Sequence, residues 1–247
     1  MKFPRMVEII PPGKKNNWRV EHFGLSEEEA HMLAVRDIAN PERLTKEWTP
    51  PGMYARLMCD HTVWMTDTNT ERTTHQYWMG QAHGHVMVGG LGLGMCVCGL
   101  LEKPEVTEVT VVELHQEVID LVKPHLNKVA QRYKKPLYIL YGDVNIYQPN
   151  AVFDCIWLDI WPTICADNLD QMDMLIERYD KYLRCGSAGP YCSWVKCWSQ
   201  DELYPDEQDP DIVDLCNKCG ANVYEDDDYY IDNGLVVCAE CKECLDD

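Results

Sequence analysis

An α/β chain is predicted, with a mostly parallel sheet and helices on both of its faces. Three features predict it. From His85 to Trp198, short apolar runs alternate with segments long enough to be helices. The first of these runs ends in closely spaced glycines, HVMVGGLGLGM. Several of the later runs end on an acidic residue. Strands alternating with helices of this length imply βαβ units and therefore parallel pairing.

The elements follow in order. Residues 1–84 read as an irregular lead-in with one helix and short strands. Ser26 and Glu29 form a capping box ahead of a helix over roughly Glu27 to Asp37. Pro11-Pro12-Gly13 and Pro50-Pro51-Gly52 break the chain, and Tyr54 to Thr66 suits one or two strands around Cys59-Asp60-His61. Residues 85–199 read as the main domain. Its strands are expected at His85–Gly90, Glu108–Glu113, Leu137–Tyr141, Phe153–Asp159 and within Pro190–Trp198. Its helices are expected at Met95–Glu102, Gln116–Val129 and Leu169–Leu183. Residues 200–214 form an acidic linker, and 215–247 a small cysteine-rich module.

Composition narrows the function classes. The chain has 247 residues and a formal net charge of −19. Sixteen acidic and only two basic residues fall between Asp201 and Asp247. Such acidity repels phosphate backbones and argues against nucleic-acid binding. No apolar run is long enough to span a membrane, and the amino-terminal residues show no secretory leader, so a cytoplasmic protein is expected. In that setting thirteen cysteines suggest metal binding and buried thiols rather than disulfides.

Gly90, Gly92 and Gly94 follow the first strand as G-x-G-x-G. Glycines there let the backbone turn sharply and come close to a ligand at a helix N-terminus. The dinucleotide fingerprint G-x-G-x-x-G does not fit, because its third glycine falls on Met95 or Val97. No G-K-[ST] follows, which removes the phosphate-binding loop. Glu113 ends the second strand, where a carboxylate can accept both hydroxyls of a ribose. Asp143 follows the third strand in YGDV and is placed to meet an exocyclic amine; a plain Gly-Asp turn is the other reading.

The stretches HVMVGGLGLGM, VTVVELHQEVIDLVKPHL, LYILYGDVN and FDCIWLDIWP, in this order, resemble class I S-adenosylmethionine-dependent methyltransferases. Within them the chain is most similar to the spermidine-synthase-like branch. WMTDTNTERTTHQYWMGQAHG resembles the lead-in before that branch's first strand. The resemblance implies a Rossmann-like domain with adenosylmethionine wrapped by Gly90–Gly94. It also implies the ribose on Glu113 and the adenine near Asp143, with Leu114, Val144 and Asp159 beside the cofactor. Departures bear on the reaction. The branch's aminopropyltransferases carry Gly-Gly-Gly-Asp-Gly, and Leu93 stands at the aspartate position. Their Asp-Ser-x-Asp-Pro is here Asp159-Ile160-Trp161-Pro162, which keeps one aspartate. Polyamine handling is demoted accordingly. Asp159 remains a candidate general base or amine-orienting carboxylate and Trp161 a candidate pocket wall; a turn cap and a core side chain are the alternatives. No Asn/Asp-Pro-Pro-Tyr motif or Pro-Cys pair occurs, which argues against base methylation. His61, His75, His83 and His85 receive no role.

In the tail, Cys216-x-x-Cys219 and Cys238-x-x-Cys241 are separated by 18 residues. Two such knuckles can place four thiolates around one Zn²⁺, and the pattern resembles a zinc ribbon; Cys244 is an alternative to Cys241. Asn222–Tyr224 and Gly234–Val237 suit short strands. The expected function is adenosylmethionine-dependent methyl transfer to a small-molecule or protein substrate. The ribbon is left for a protein partner or a homo-oligomer contact. Aminopropyl transfer, another use of the same cofactor, and a non-catalytic interaction module with a vestigial pocket stay open.

Overall fold

The structure, a computed structural model, describes residues 4–39, 49–184, 192–203, 212–215, 222–224, 228–232 and 235–238. Its centre is a five-stranded parallel sheet built from β5 (Gly84–Gly89), β6 (Val106–Glu113), β7 (Leu137–Tyr141), β8 (Cys155–Leu158) and β9 (Trp194–Cys197). The spatial order is β7-β6-β5-β8-β9. The chain therefore grows outward from β5 in one direction and then, from β8, in the other. This is the Rossmann-like arrangement expected from the sequence.

Alternation along the strands sorts side chains to two cores, because successive residues of a strand point to opposite faces. Val86, Val88, Val109, Val111, Cys155 and Trp157 pack on one face with α4 (Met95–Glu102) and α5 (Gln116–Tyr133). Met87, Ile156 and Leu158 pack on the other with α6 (Leu169–Asp180). Seven of the eight residues of α4 are buried, so this helix is core throughout rather than amphipathic. Helix α5 runs one turn beyond its expected end and stops at Lys134, whose φ of 55° is left-handed. The amides of Lys134 and Lys135 then bond back to Gln131 and Ala130.

The lead-in is more regular than expected. It forms an antiparallel sheet of β1 (Gly13–Lys15), β2 (Trp18–Leu25), β3 (Gly52–Cys59) and β4 (Thr62–Thr66) in that order. Two tight turns set its register. Asn16 and Asp60 each open a two-residue connection with φ near 50°. Asn and Asp tolerate that region because their short side chains bond locally. The expected capping box is present at α1 (Glu27–Ala39): the Glu29 amide donates to Ser26 Oγ at 3.2 Å, and the Ser26 amide donates to Glu29 Oε2 at 2.8 Å. Two short helices, α2 (Asn69–Thr74) and α3 (Gln76–Gln81), lead into β5.

After β9 come α7 (Gln200–Leu203) and four short strands, β10 (Ile212–Leu215), β11 (Asn222–Tyr224), β12 (Tyr229–Asp232) and β13 (Leu235–Cys238). The span 200–214, expected as a linker, thus contains α7 and all but the last residue of β10. β10 pairs with β11 and β12 with β13, both antiparallel. Among the described residues no helix is long and apolar enough to cross a membrane.

Asp67, 1% exposed, ties the lead-in together. Its carboxylate accepts the Ala55 amide at 2.7 Å and the Val7 amide at 3.1 Å. Leaving buried donors unpaired costs about 1–3 kcal/mol. Asp67→Ala is therefore expected to lower unfolding free energy by about that amount in urea titrations, without changing the parallel sheet.

Candidate functional site

At the carboxyl end of β5 the chain turns through Gly90 to Gly94 into α4. Gly90 has φ 92°, and a Cβ there would lie 2.1 Å from the Asp159 carbonyl oxygen. Only glycine permits the turn to pass so close to the end of β8. Gly94 (φ 76°) does a different job. A Cβ there would lie 2.6 Å from Leu126 Cδ1, so this glycine sets the approach of α4 to α5. Gly94, expected beside the cofactor, is not on the wall of the cavity; Gly90, Leu91 and Gly92 are.

That cavity has a volume of about 370 Å³ and opens at the carboxyl ends of β5, β6, β7 and β8. Small-ligand sites commonly measure about 300–1,000 Å³. Glu113, Leu114, Asp143, Val144, Asp159 and Trp161 all line it, so the remaining expected residues of the main domain are brought together.

Glu113 is 6% exposed and clamps the turn. Oε2 accepts the Leu91 amide at 2.8 Å and Oε1 the His115 amide at 2.8 Å. Burial pushes its carboxyl above the usual range, and the His115 and Leu91 amides pull it back. Asp143 closes a local turn, with Oδ1 accepting the Asn145 amide at 2.9 Å and its side-chain Nδ2 at 2.8 Å. From there a chain of bonds runs along the wall. Gln171 Nε2 donates to Asn145 Oδ1 at 2.8 Å, and Trp161 Nε1 donates to Gln171 Oε1 at 2.9 Å. The Tyr179 hydroxyl donates to the Val144 carbonyl at 2.8 Å and holds the same segment from α6. Trp161 is thus a wall residue with a polar handle, fixed from behind.

Asp159 sits opposite. Its amide donates to the Gly89 carbonyl at 2.8 Å, and burial pushes its carboxyl up to about 7. Glu71 from α2 lines the same cavity, and burial together with the Asp159 charge raises it to about 8. His75 is fully buried, with Nε2 3.6 Å from Asp159 Oδ2. Burial lowers its pKa to about 3, so the ring is neutral.

The lead-in sheet supplies the cover. Trp18 packs on Trp64 at 5.1 Å and on His115 at 4.6 Å between ring centroids. Met65 lies over Gly92, its sulfur accepting the Leu93 amide at 3.2 Å. Trp18, Trp64, Met65, Glu71 and Gln171 were not singled out in the sequence, nor was His75 just behind the wall, although Trp64, Met65, Glu71 and His75 stand in the lead-in stretch that carries the resemblance. The available sign was Glu71 and His75 standing four apart in TERTTH, a spacing that puts both on one side of a helical turn. His83 and His85 lie at the other end of β5; His85 Nε2 meets Thr110 Oγ1 at 2.9 Å. His61 is exposed in the turn after β3.

Of the cysteines expected around Zn²⁺, Cys216, Cys219 and Cys241 lie outside the described residues, as does Cys244. Cys238 ends β13 and is half-buried. Among the described residues, no group of three or more His, Cys, Asp or Glu is arranged to hold a metal.

No protein-family model and no curated protein matches the chain. Solved structures do resemble it. An S-adenosylmethionine-dependent methyltransferase from Clostridium acetobutylicum is 16% identical over 44% of this chain and 42% of that one, with a TM-score of 0.32. The glycopeptide N-methyltransferase MtfA, complexed with S-adenosylmethionine, is 14% identical over 46% and 45%, with a TM-score of 0.35. The CcbJ methyltransferase from Streptomyces caelestis is 17% identical over 41% and 39%, with a TM-score of 0.32. In each case the match spans less than half of the other chain.

The raised carboxyls make stability depend on pH. Asp159 and Glu71 hold protons more tightly folded than unfolded, so their contribution is complete below the ordinary carboxyl pKa and fades as pH rises through about 7 and about 8. Denaturant titrations from about pH 5 to about pH 9 should show falling stability, and Glu71→Gln should flatten the upper part of that fall.

Proposed function

We propose that the cavity binds S-adenosylmethionine and that the protein transfers its methyl group to a small molecule or a protein side chain. One observation carries the reading. Glu113, Asp143 and Asp159, from the ends of three parallel strands, share a single cavity with the glycine turn that follows β5. In open α/β sheets ligands bind at this switch point.

The residues suit the group. Glu113 gives one lone pair of each oxygen to a backbone amide and keeps others for a pair of adjacent hydroxyls. Asp143, held by Asn145, is a pre-aimed acceptor for an exocyclic amine. Four carboxyl groups and no lysine or arginine are among the described residues of the wall, which favours a positively charged guest. When bound, the cofactor supplies an electrophilic methyl on a sulfonium. The chain's own part is orientation and exclusion of water: Trp161 and the chain of bonds behind it fix one wall, and Trp18, Trp64 and Met65 close the other. Asp159 is the group placed to accept a proton or orient an amine.

At the far end of the chain we read Cys216, Cys219, Cys238 and Cys241 as a zinc site within residues 215–247. The two C-x-x-C pairs and the β12–β13 hairpin that delivers Cys238 support it. Metal analysis of freshly purified, reduced protein should find about one zinc per chain, since four thiolates complete one tetrahedral site. A metal-free, folded tail would contradict it.

Calorimetry tests the main reading. Wild-type protein should bind S-adenosylmethionine, and Glu113→Gln should weaken binding roughly tenfold or more, the worth of a charge-assisted hydrogen bond. Equal affinities would remove Glu113 from the site.

A further inference from the structure

Behind Asp159 lies a group that the reading above does not use. His75 is held among tryptophans, with ring centroids 5.9 Å from Trp157, 6.0 Å from Trp198 and 6.3 Å from Trp78. The Trp78 indole N–H, 3.3 Å away, donates to His75 Nδ1. An indole can only donate, so Nδ1 must accept. In a neutral ring the proton then belongs to Nε2. That Nε2 is buried without a hydrogen-bond partner among the described residues, and it faces Asp159 Oδ2 across 3.6 Å. A buried N–H left unpaired costs free energy, so it is not a neutral feature of packing. A small shift of Asp159 as it ionises satisfies it, with no ligand required.

Glu71 precedes His75 by four residues, and α2 with its C-cap residue His75 places both beside Asp159. The other ionisable group facing the pair is Cys96 from α4, whose thiol stays protonated through burial and the charges of Asp159 and Glu71. Glu113, His115 and Asp143 complete the ionisable wall. No lysine or arginine among the described wall residues neutralises Asp159 or Glu71, and a proton can do so instead.

We propose that Glu71, Asp159 and His75 form one proton-holding unit: Asp159 takes up the proton leaving the methyl acceptor beside a Glu71 that already holds its own, and His75 is a positioning residue whose Nε2–H steadies ionised Asp159. The proposal rests on the methyl-transfer reading and names its acceptor class, a nucleophile carrying an N–H, O–H or S–H. The lone pair of the acceptor atom forms the new bond to the methyl carbon. The carbon–sulfur bond breaks with its electrons on sulfur, and the sulfonium becomes a neutral thioether. The acceptor's proton passes to Asp159, with Glu71 already protonated beside it, and solvent later receives it. Charge and atoms balance with no further reactant.

The test is a carboxyl titration of the ligand-free full chain, followed through the protonated-carboxyl band in infrared difference spectra. Two carboxyls should titrate above about pH 6, well outside the ordinary range. Glu71→Gln should remove the higher. Asp159→Asn should lower the proton affinity of Glu71 about tenfold or more, by removing the neighbouring charge. His75→Phe, which has no donor, should raise the proton affinity of Asp159 about tenfold, and His75→Gln, which keeps an N–H, should restore it. His75→Leu replaces the phenylalanine variant if that one fails to fold. Absence of any carboxyl titrating above about pH 6 overturns the unit. Identical titrations in the donor-less and donor-bearing His75 variants overturn the role of His75. No ligand is used, so a failed titration leaves the cofactor reading standing, and failed cofactor binding leaves the titration to decide this one.

Discussion

The divergence of the chain at the carboxyl end of β5 is the constraint on which the site depends. β6 and β7 are added on one side of β5, and β8 and β9 on the other. The connections leaving β5 and β8 therefore run to opposite faces, with α4 on one and α6 on the other. A crevice between them follows from topology before any side chain is chosen. Gly90 keeps the crevice narrow by letting the turn touch the Asp159 backbone, and Gly94 lets α4 settle against α5. The lead-in sheet then needs only to lie across the opening.

Charge is the second organising problem. Four carboxyls line the cavity without a lysine or arginine among its described residues, and buried ionised carboxylates are costly. The chain answers in two ways. Glu113 and Asp143 are supplied with donors from neighbouring backbone and from Asn145, which fixes them as acceptors. Among the described residues no such donor bonds the Asp159 or Glu71 carboxyl, and the two are raised to about 7 and about 8. The first pair suits recognition and the second suits proton traffic. A cation entering the cavity would favour ionisation of Asp159, coupling binding to proton release.

Much of the main domain was legible in the sequence because its signals are local. α4 and β7 have the expected bounds, and the other strands and helices of the domain depart mainly at their ends. Glycines at a strand end and acids at the next two announce themselves within a few residues. The lead-in was harder. β2 carries His22, Glu21 and Gly24 among its apolar residues, so its alternation is weak, and its pairing with β3 spans a long stretch of chain. The six residues of α2 are too few for periodicity to appear. Glu71 and His75 gain their meaning from Asp159, far along the sequence, and such a contact has no local signature. Leu93 reads otherwise in three dimensions as well: it is fully buried core, and its amide is tied to Met65.

Native mass spectrometry of the freshly purified full chain tests the central claim most directly. One S-adenosylmethionine, or its demethylated product, is expected on each chain, carried through purification or acquired on incubation, and lost in Glu113→Ala. A chain that stays unliganded after incubation, or that carries a phosphate-bearing dinucleotide instead, would contradict it.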